Sequence, residues 1–177
     1  YNIWLVSEIE GNDGGFGTQG YAYFPGTSAS RDGAVILNTA WGNTGTVNAW
    51  NNQGKTGIHE LGQGLNLHHT FKIQTPSDTT SNGCPSNSDC NTQGDLCCDT
   101  DPHKVSTSFT CTDSLINECT GSIFGDVVHN YMDYSDQDCQ YMFSQDQINR
   151  MRATLEGIRS GLIVSKGKSP NLASFNP

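Results

Sequence analysis

The sequence predicts an α+β fold, and three features of the chain support this prediction. Short β-prone segments lie in the N-terminal part, a helix-like segment follows at 55–65, and a second helix-like segment begins at Ser144. Between the two helices the chain is irregular and rich in cysteine. Because 177 residues is the length of one domain with an ordinary core, 1–177 is predicted to be a single domain.

Three segments near the N-terminus have the composition of strands. Residues 1–9 are apolar and β-prone, and 33–38 contain a continuous apolar run that is typical of a buried strand. A short aromatic segment, 21–24, ends at a Pro-Gly turn. The glycine-rich stretch 11–20 and the Asn-, Gly- and Thr-rich stretch 41–52 are predicted to be loops.

Helical periodicity occurs twice. The first helix is predicted because apolar residues recur at Ile58, Leu61 and Leu65. In the second helix, Ser144 and Gln147 match a capping box. An apolar stripe, predicted to pack in the core, follows at Ile148, Met151, Leu155 and Ile158.

Charge and hydropathy exclude some classes of function. The formal net charge is −9 and the pI is near 4.7, which argues against nucleic-acid binding because that function favours basic patches. No apolar run reaches the roughly 18 residues of a membrane span, so no span is predicted. No signal peptide opens the chain, and its abrupt start in a strand-like segment favours a mature or trimmed fragment.

Seven cysteines lie in one half of the chain, and none precedes position 84. Clustered cysteines either bind zinc or form disulfides in an oxidising compartment. The spacings lack paired C-x-x-C units, which favours disulfides. An odd number leaves one thiol unpaired or intermolecular.

The segment 59–71 carries the most specific pattern. Because residues four apart share a face of a helix, His59 and the residue at 63 could grip one metal ion, while Glu60 points toward solvent bound to that ion. A sharp turn at 66 would bring His69 to the same ion. This is the geometry of the H-E-x-x-H-x-x-G-x-x-H class of zinc site. A His-Glu pair alone would be weak evidence for such a site, because a solvated helix face would then be the default interpretation.

Two positions depart from this pattern. Asn66 replaces the glycine of the turn, and asparagine tolerates left-handed backbone better than most side chains. Gln63 replaces the second histidine, and its neutral amide oxygen is a weaker zinc ligand than an imidazole nitrogen.

Downstream features extend the match. The segment 129–134 resembles a metzincin Met-turn, and Asp138-Cys139 precedes the helix that begins at Ser144. In their order and spacing these motifs resemble the pappalysins, a family of secreted zinc metalloproteases. The resemblance runs from about Tyr1 to Leu155.

The resemblance implies a metzincin-type α+β fold. Its expected parts are a twisted, mostly parallel sheet with backing helices, an active-site helix, and a loop-rich lower lobe with a Met-turn and a C-terminal helix. The upper lobe is expected at about 1–66, the lower lobe at about 67–165 and a coil tail at 166–177. The strand at 21–24 is expected to be the edge that binds an extended peptide.

The resemblance also implies roles for single residues. His59, Gln63 and His69 would occupy the zinc-ligand positions. Glu60 would be the general base toward the metal-activated water, and Tyr134 would steady the tetrahedral intermediate. Met132 would form a hydrophobic floor beneath the metal. The remaining histidines, including His103 and His129, are expected to be structural.

Further positions match a calcium loop and a specificity pocket. Asp95, Thr100 and the carbonyl of Cys98 are the expected calcium ligands, the alternative being a capped polar turn. Asp138 falls where family members place an acid that selects Arg or Lys after the scissile bond, the alternative being a surface acid.

Disulfide pairings are likewise implied only by the resemblance. It pairs Cys111 with Cys139 and Cys90 with Cys119. Cys84 is then left to pair with Cys97 or Cys98, one of which remains free.

The expected function is that of a zinc-dependent metalloendopeptidase that cleaves secreted proteins or peptides before Arg or Lys, with activity impaired by Gln63. The alternative is a catalytically inactive relative that binds a peptide or partner, and Gln63 is the main observation in its favour. A disulfide-stapled structural module would leave the zinc signature unexplained. The expected cofactors are zinc and calcium, and the expected location is extracellular.

Overall fold

A computed structural model describes residues 1–105, 111 and 114–165, so the tail predicted at 166–177 lies outside the described residues. In the described part, a small sheet and the first long helix come first along the chain, and long loops with a second long helix follow. The strands are β1 (Asn2–Val6), β2 (Gly20–Ala22) and β3 (Gly33–Leu37). The α-helices are α1 (Lys55–Gly64), α2 (Gln145–Glu156) and α3 (Ser160–Ile163), and 3-10 turns lie at Asn38–Ala40, Pro76–Asp78 and Gly125–His129.

The sheet has the order β1-β3-β2. β1 pairs parallel to β3, whereas β2 pairs antiparallel to it, so the described sheet is mixed where a mostly parallel one was expected. β3 is the central and most buried strand, as its continuous apolar run predicts. The buried cluster around it contains Ile9, Ala34, Ile36, Leu37 and Ala40.

Helix α1 forms as predicted, but it does not bury the predicted face. Leu61 is 40% exposed, and three glycines face the interior instead. A Cβ atom at Gly62 would lie 2.6 Å from the Sδ atom of Met132, and one at Gly64 would lie 2.3 Å from the hydroxyl of Tyr1. The glycines therefore let the helix backbone approach its neighbours more closely than any side chain would allow.

The end of α1 is a left-handed turn at Asn66, whose φ is +74°. The amide of Leu67 donates to the carbonyl of Gly62 at 2.9 Å, which is the closing hydrogen bond of a Schellman motif. Arg150 of α2 donates to the carbonyl of Asn66 at 2.6 Å. The sequence prediction of a sharp turn at this position is confirmed.

The capping box at the start of α2 is also confirmed. The amide of Gln147 donates to Ser144 Oγ, and the Gln147 side chain accepts from the amide of Ser144. The predicted apolar stripe is only partly buried, and Ile158 lies beyond the helix end and is mostly exposed. The core contact of α2 is instead made by polar Gln147, which is fully buried and accepts a hydrogen bond from Asn130.

The disulfides are Cys84–Cys119, Cys90–Cys98 and Cys111–Cys139. The third bond is the expected one, but the expected Cys90–Cys119 pair and the pairing of Cys84 with Cys97 or Cys98 are wrong. Cys90 and Cys98 lie on one tight loop with their Cα atoms 5.0 Å apart, so Cys90 bonds to its near neighbour Cys98. Cys84 then bonds to Cys119. The free cysteine is the buried Cys97, which lies next to the exposed Cys98 in the chain.

Among the described residues, no helix combines the length and apolar character that a membrane crossing requires.

Candidate metal and active site

Three side chains converge on one point beside helix α1. The Nε2 atoms of His59 and His69 lie 3.1 Å apart. The Nε2 atom of Gln63 is 3.2 Å from that of His59 and 2.8 Å from that of His69. His59 and Gln63 meet because they are one helical turn apart, and the left-handed turn at Asn66 returns the chain so that His69 reaches them.

The hydrogen bond at the far side of His59 fixes its tautomer. Nδ1 lies 2.7 Å from the carbonyl oxygen of Tyr131, and because a carbonyl only accepts, Nδ1 donates and Nε2 keeps its lone pair toward the convergence point. Burial lowers the pKa of His59. Burial, followed by the nearby His59, lowers the pKa of His69 to about 3. Both imidazoles are therefore neutral, as metal ligands must be.

These three groups fit a zinc ion, with one chemical qualification. Nitrogen ligands of tetrahedral zinc at about 2.0–2.1 Å lie roughly 3.3 Å from each other, and the 3.1 Å between the histidine nitrogens is close to that spacing. Gln63 presents its amide nitrogen to the two imidazoles. Since an amide binds a metal through oxygen, ligation requires the Gln63 carboxamide to flip so that its oxygen, not its nitrogen, faces the two imidazoles. No cluster of three His, Cys, Asp or Glu side chains suited to a metal occurs in the described residues.

Glu60 is buried beside the convergence point. The residue is 4% exposed, and its carboxylate Oε2 has no hydrogen-bond partner among the described residues. Burial raises the pKa of Glu60 to about 8. A Cβ atom at Gly20 would lie 3.1 Å from Glu60 Oε1, so the glycine of β2 provides the space that this carboxylate occupies.

Met132 and Tyr134 each lie close to the segment that carries the three converging side chains. Met132 is fully buried beneath α1 against Gly62, and its carbonyl accepts a hydrogen bond from the amide of Thr70. The hydroxyl of Tyr134 lies 3.3 Å from His69 Nε2. Burial, and then the charge of Glu60, raise the pKa of Tyr134, which keeps its phenol protonated. Met132 thus lies under α1 and the Tyr134 phenol lies within hydrogen-bonding distance of His69, while their roles as floor and donor stay predictions.

A second set of contacts, which the sequence did not reveal, supports His69 from behind. His103 is fully buried, and its Nε2 lies 2.7 Å from the hydroxyl of Thr70. Its Nδ1 donates to the carbonyl of Lys104, so Nε2 accepts from Thr70. The ring also packs edge-on against Phe71, which stacks on His69. A histidine thirty residues away carries no local signal for this role.

A cavity of about 970 Å³ contains the site, and strand β2 lines it together with α1. The amide of Leu37 donates to the carbonyl of Gln19, and the amide of Tyr23 donates to that of Gly33. Because hydrogen bonding alternates along an antiparallel pair, the backbone groups of Gly20 and Ala22 face away from β3. The free edge of the sheet therefore borders the cavity, close to the expected strand at 21–24.

The expected calcium loop brings Asp95 and Thr100 together. Asp95 Oδ1 accepts hydrogen bonds from the Thr100 hydroxyl at 2.7 Å and the Cys97 amide at 3.1 Å. Oδ2 is buried and has no hydrogen-bond partner among the described residues. Burial raises the pKa of Asp95 to about 7. A buried carboxylate oxygen without a hydrogen-bond donor is suited to a cation. The third expected ligand was the carbonyl of Cys98. The structure describes a hydrogen bond from the Cys98 amide to Asp146 but none to that carbonyl.

Asp138 does not lie among the residues that line the cavity. It is exposed and accepts a hydrogen bond from the side chain of Gln53. The acids of this segment that line the cavity are Asp133 and Asp136, and Lys55 lines it as well. Lys55 donates to the carbonyl of Gln137. Burial lowers the pKa of Lys55, and the nearby charges of Asp138 and Asp136 oppose this shift. The geometry thus favours the surface alternative for Asp138 over a position in the pocket.

Comparison with characterised sequences identifies relatives. Residues 1–156 match the family described as pregnancy-associated plasma protein-A. An extracellular metalloprotease of Pyricularia oryzae is 34% identical over 165 residues, which span 90% of this chain and 50% of that protein. One of Verticillium alfalfae is 36% identical over 141 residues, or 76% of this chain and 43% of the relative. The chain thus spans about half the length of these relatives.

Solved structures agree with the sequence comparison. Mirolysin bound to compound 9 superposes with a TM-score of 0.66 and 26% identity, over 92% of this chain and 56% of that one. Mature mirolysin of Tannerella forsythia with a cleaved peptide gives a TM-score of 0.65 and 28% identity over the same shares. Sequence and fold lead to one conclusion: the chain belongs to the pregnancy-associated plasma protein-A family of peptidases, the pappalysins.

Proposed function

We propose that this chain is a zinc-dependent endopeptidase that hydrolyses peptide bonds of extracellular proteins or peptides. The observation that carries the proposal is the meeting of His59, Gln63 and His69 beside the buried carboxylate of Glu60 in one cleft. The relatives named extracellular metalloproteases and the three disulfides support an extracellular location.

His59, His69 and the amide oxygen of Gln63 would hold the zinc ion. When bound, zinc supplies Lewis acidity and lowers the pKa of a water ligand toward about 7. Glu60 is the proposed proton acceptor: the positive charge of a bound metal would favour its ionised form over the protonated one that burial favours, and its buried, unpartnered Oε2 would then take a proton and return it to the leaving amine. The protonated phenol of Tyr134 donates to the negative oxygen that develops on the scissile carbonyl.

Strand β2 would hold the peptide. The outward backbone groups of Gly20 and Ala22 can pair with an extended chain and place its scissile bond beside Glu60. Pairing through the backbone accepts many sequences, which suits an endopeptidase.

We propose that Gln63 makes this chain a weak zinc binder and a slow enzyme. Its amide donates to both imidazoles, and zinc binding must break these contacts in exchange for a neutral oxygen ligand. The alternative to be tested against this proposal is an inactive protein that binds peptide in the cleft without cutting it.

Metal analysis of the chain beside its Gln63→His variant separates the two functions. An endopeptidase impaired by Gln63 should bind zinc weakly, and the variant should gain both zinc content and cleavage. If the unaltered chain holds stoichiometric zinc and cleaves as fast as the variant, Gln63 is an adequate ligand and the impairment is wrong. If the variant binds zinc and still cleaves no peptide, the binding function is favoured.

The preference for Arg or Lys after the scissile bond remains a finer proposal. Negative charge on the cleft wall supports it, since Asp136 lines the cavity and Asp138 lies nearby. The variants Asp136→Asn and Asp138→Asn, compared on peptides with Arg or Leu after the scissile bond, assign the effect. If only one variant loses cleavage of the Arg peptide and keeps cleavage of the Leu peptide, the acid changed in that variant is responsible for the preference. If neither variant loses Arg cleavage, these two acids do not cause a preference for Arg.

A calcium ion at Asp95 and Thr100 is also proposed. The buried, unpartnered Oδ2 of Asp95 supports it. An ion there would tie together a loop that otherwise contains little regular structure.

A further inference from the structure

Two exposed aromatic rings line the cavity side by side. Phe16 and Trp50 stack with ring centroids 5.0 Å apart and planes inclined by 21°. Phe16 is 80% exposed and Trp50 is 41% exposed, and both line the cavity that contains His59 and Glu60. Large exposed rings are costly to keep in water, and a pair at the wall of a binding cleft indicates a contact surface for a ligand.

The pair is held in place from both sides. Gln19 donates to the carbonyls of Gly15 and Gly17, which closes the loop that carries Phe16. Asn48 donates to the carbonyl of Gly14, and Asn51 donates to the side chain of Gln19 at 3.3 Å. These bonds join the Phe16 loop to the segment that carries Trp50, so the two rings are positioned before any ligand binds.

The location of the pair relates it to the direction of the peptide. Phe16 lies in the loop that leads into β2, and Thr56 in the first turn of α1 hydrogen-bonds Asn51, the neighbour of Trp50. Glu60 lies one turn further along α1, beside Gly20. A peptide paired antiparallel to β2 would run from Ala22 toward Gly20 and on to the aromatic pair.

We propose that Phe16 and Trp50 form a subsite for an apolar side chain on the carboxyl side of the scissile bond. The inference rests on the proposed function, since it takes the occupant to be the substrate. A leucine or phenylalanine side chain would cover the exposed ring faces and remove apolar surface from water, whereas a serine or glutamate side chain would not.

Matched fluorogenic peptides test the subsite. They place Leu, Phe, Ser or Glu at each of the three positions after the scissile bond, one position at a time, and are assayed with the unaltered chain and the Gln63→His form. We expect Leu or Phe to be preferred at one of these positions. Phe16→Ala and Trp50→Ala should each lower kcat/KM for those peptides about tenfold, leave the Ser peptides within about twofold, and be partly rescued in Trp50→Phe.

The matched control is Tyr141→Ala. Tyr141 is also exposed and stacked on a neighbouring ring, that of His129, but it does not line the cavity. It should leave the preference unchanged. Equal losses for all peptides in the Phe16 and Trp50 variants would make the pair a purely structural support, and no loss would remove its role altogether; either result overturns the inference.

Direct binding separates this inference from the proposed function. If no form cleaves any peptide, the same peptides are titrated while tryptophan fluorescence is recorded, with Trp50→Phe identifying the contribution of Trp50. A preference for Leu or Phe that disappears in Phe16→Ala supports the subsite although the proteolytic function fails. Binding without preference, or no binding at all, overturns it.

Discussion

At the scale of single residues, Gly20 lies where strand β2 passes the carboxylate of Glu60. A Cβ atom there would be 3.1 Å from Glu60 Oε1 and equally close to the carbonyl oxygen of Val35. Both contacts are tighter than most real Cβ atoms make, so either the carboxylate or the strand must move. The glycine thus links the position of Glu60, the proposed general base, to the strand proposed to bind substrate.

We predict that Gly20→Ala in the Gln63→His form lowers kcat at least about tenfold, because small displacements of a catalytic group are costly. Zinc content, which depends on side chains that Gly20 does not contact, should stay the same. Gly161→Ala is the control, since an added Cβ there has open space. A kcat within twofold of the parent would show that Glu60 tolerates the shift.

The residue-level chemistry of the site was largely predictable. The four-residue spacing of His59 and Gln63 and the turn at Asn66 are local signals, and they suffice to bring His69 to the same point. The orientation of the Gln63 amide was not predictable, because it depends on hydrogen bonds to two imidazoles that only the folded chain brings together. The exposed position of Asp138 depends likewise on Gln53, which is remote in sequence.

At the scale of elements, the turn after α1 depends on one residue with left-handed backbone. Asn66→Ala should lower the free energy of unfolding by about 1 kcal/mol, since alanine adopts this conformation less readily, whereas Asn66→Gly should leave stability unchanged or raise it slightly. Urea denaturation of the three proteins measures the difference. If the alanine form is as stable as the parent, Arg150 and the Schellman hydrogen bonds fix the turn without help from residue 66.

The loop at 95–100 provides a second prediction at this scale. A ligand that binds only the folded state stabilises it by mass action, so calcium should raise the melting temperature and exhaustive chelation should lower it. Asp95→Asn should abolish the difference, because it removes the carboxylate whose buried Oδ2 supports the site. Asp89→Asn is a control in an exposed loop where the carboxylate already accepts hydrogen bonds from Asn91 and Thr92. Identical melts of the parent with calcium and with chelator would remove the proposed ion.

The elements show where sequence periodicity stops being informative. The bounds of α1 and the cap of α2 follow from local signals, which the structure confirms. The buried face of α1 does not, because its glycines are buried against Trp41, Met132 and Tyr1, residues far away in the chain. Apolar periodicity detects only side chains, so a face made of glycine is invisible to it.

At the scale of the whole molecule, Arg159 connects the C-terminal segment to the sheet. Its guanidinium is buried, lies 2.5 Å from Asp32 and stands over the ring of Tyr1 at 5.1 Å. Nε is buried without a hydrogen-bond partner among the described residues, which makes this a costly group to hold in place. Two ends of the described chain thus meet at one charged side chain.

We predict that Arg159→Ala lowers the free energy of unfolding by about 2–3 kcal/mol. A largely buried ion pair that loses one partner is costly, and the partial exposure of Asp32 reduces the loss. Lys104→Ala is the comparison, because the Lys104–Glu118 pair is exposed on both sides and screened by solvent, and its loss should be much the smaller of the two. Denaturant melts of both variants give the ranking, and equal losses would contradict it.

The burial of Cys97 has a consequence for how the protein reaches its oxidised state. Cys97 and Cys98 are neighbours, yet only Cys98 bonds Cys90, so during oxidative folding two adjacent thiols compete for one partner. Once the loop has closed, Cys97 is 2% exposed and out of reach of exchange with the bond beside it. The native pairing is therefore protected from scrambling by burial, which keeps Cys97 out of reach and raises the pKa of its thiol to about 12, so that little reactive thiolate forms. Oxidative refolding of the fully reduced chain in a glutathione redox buffer should yield a kinetically trapped Cys90–Cys97 isomer, and Cys97→Ser should speed recovery of the native bond set.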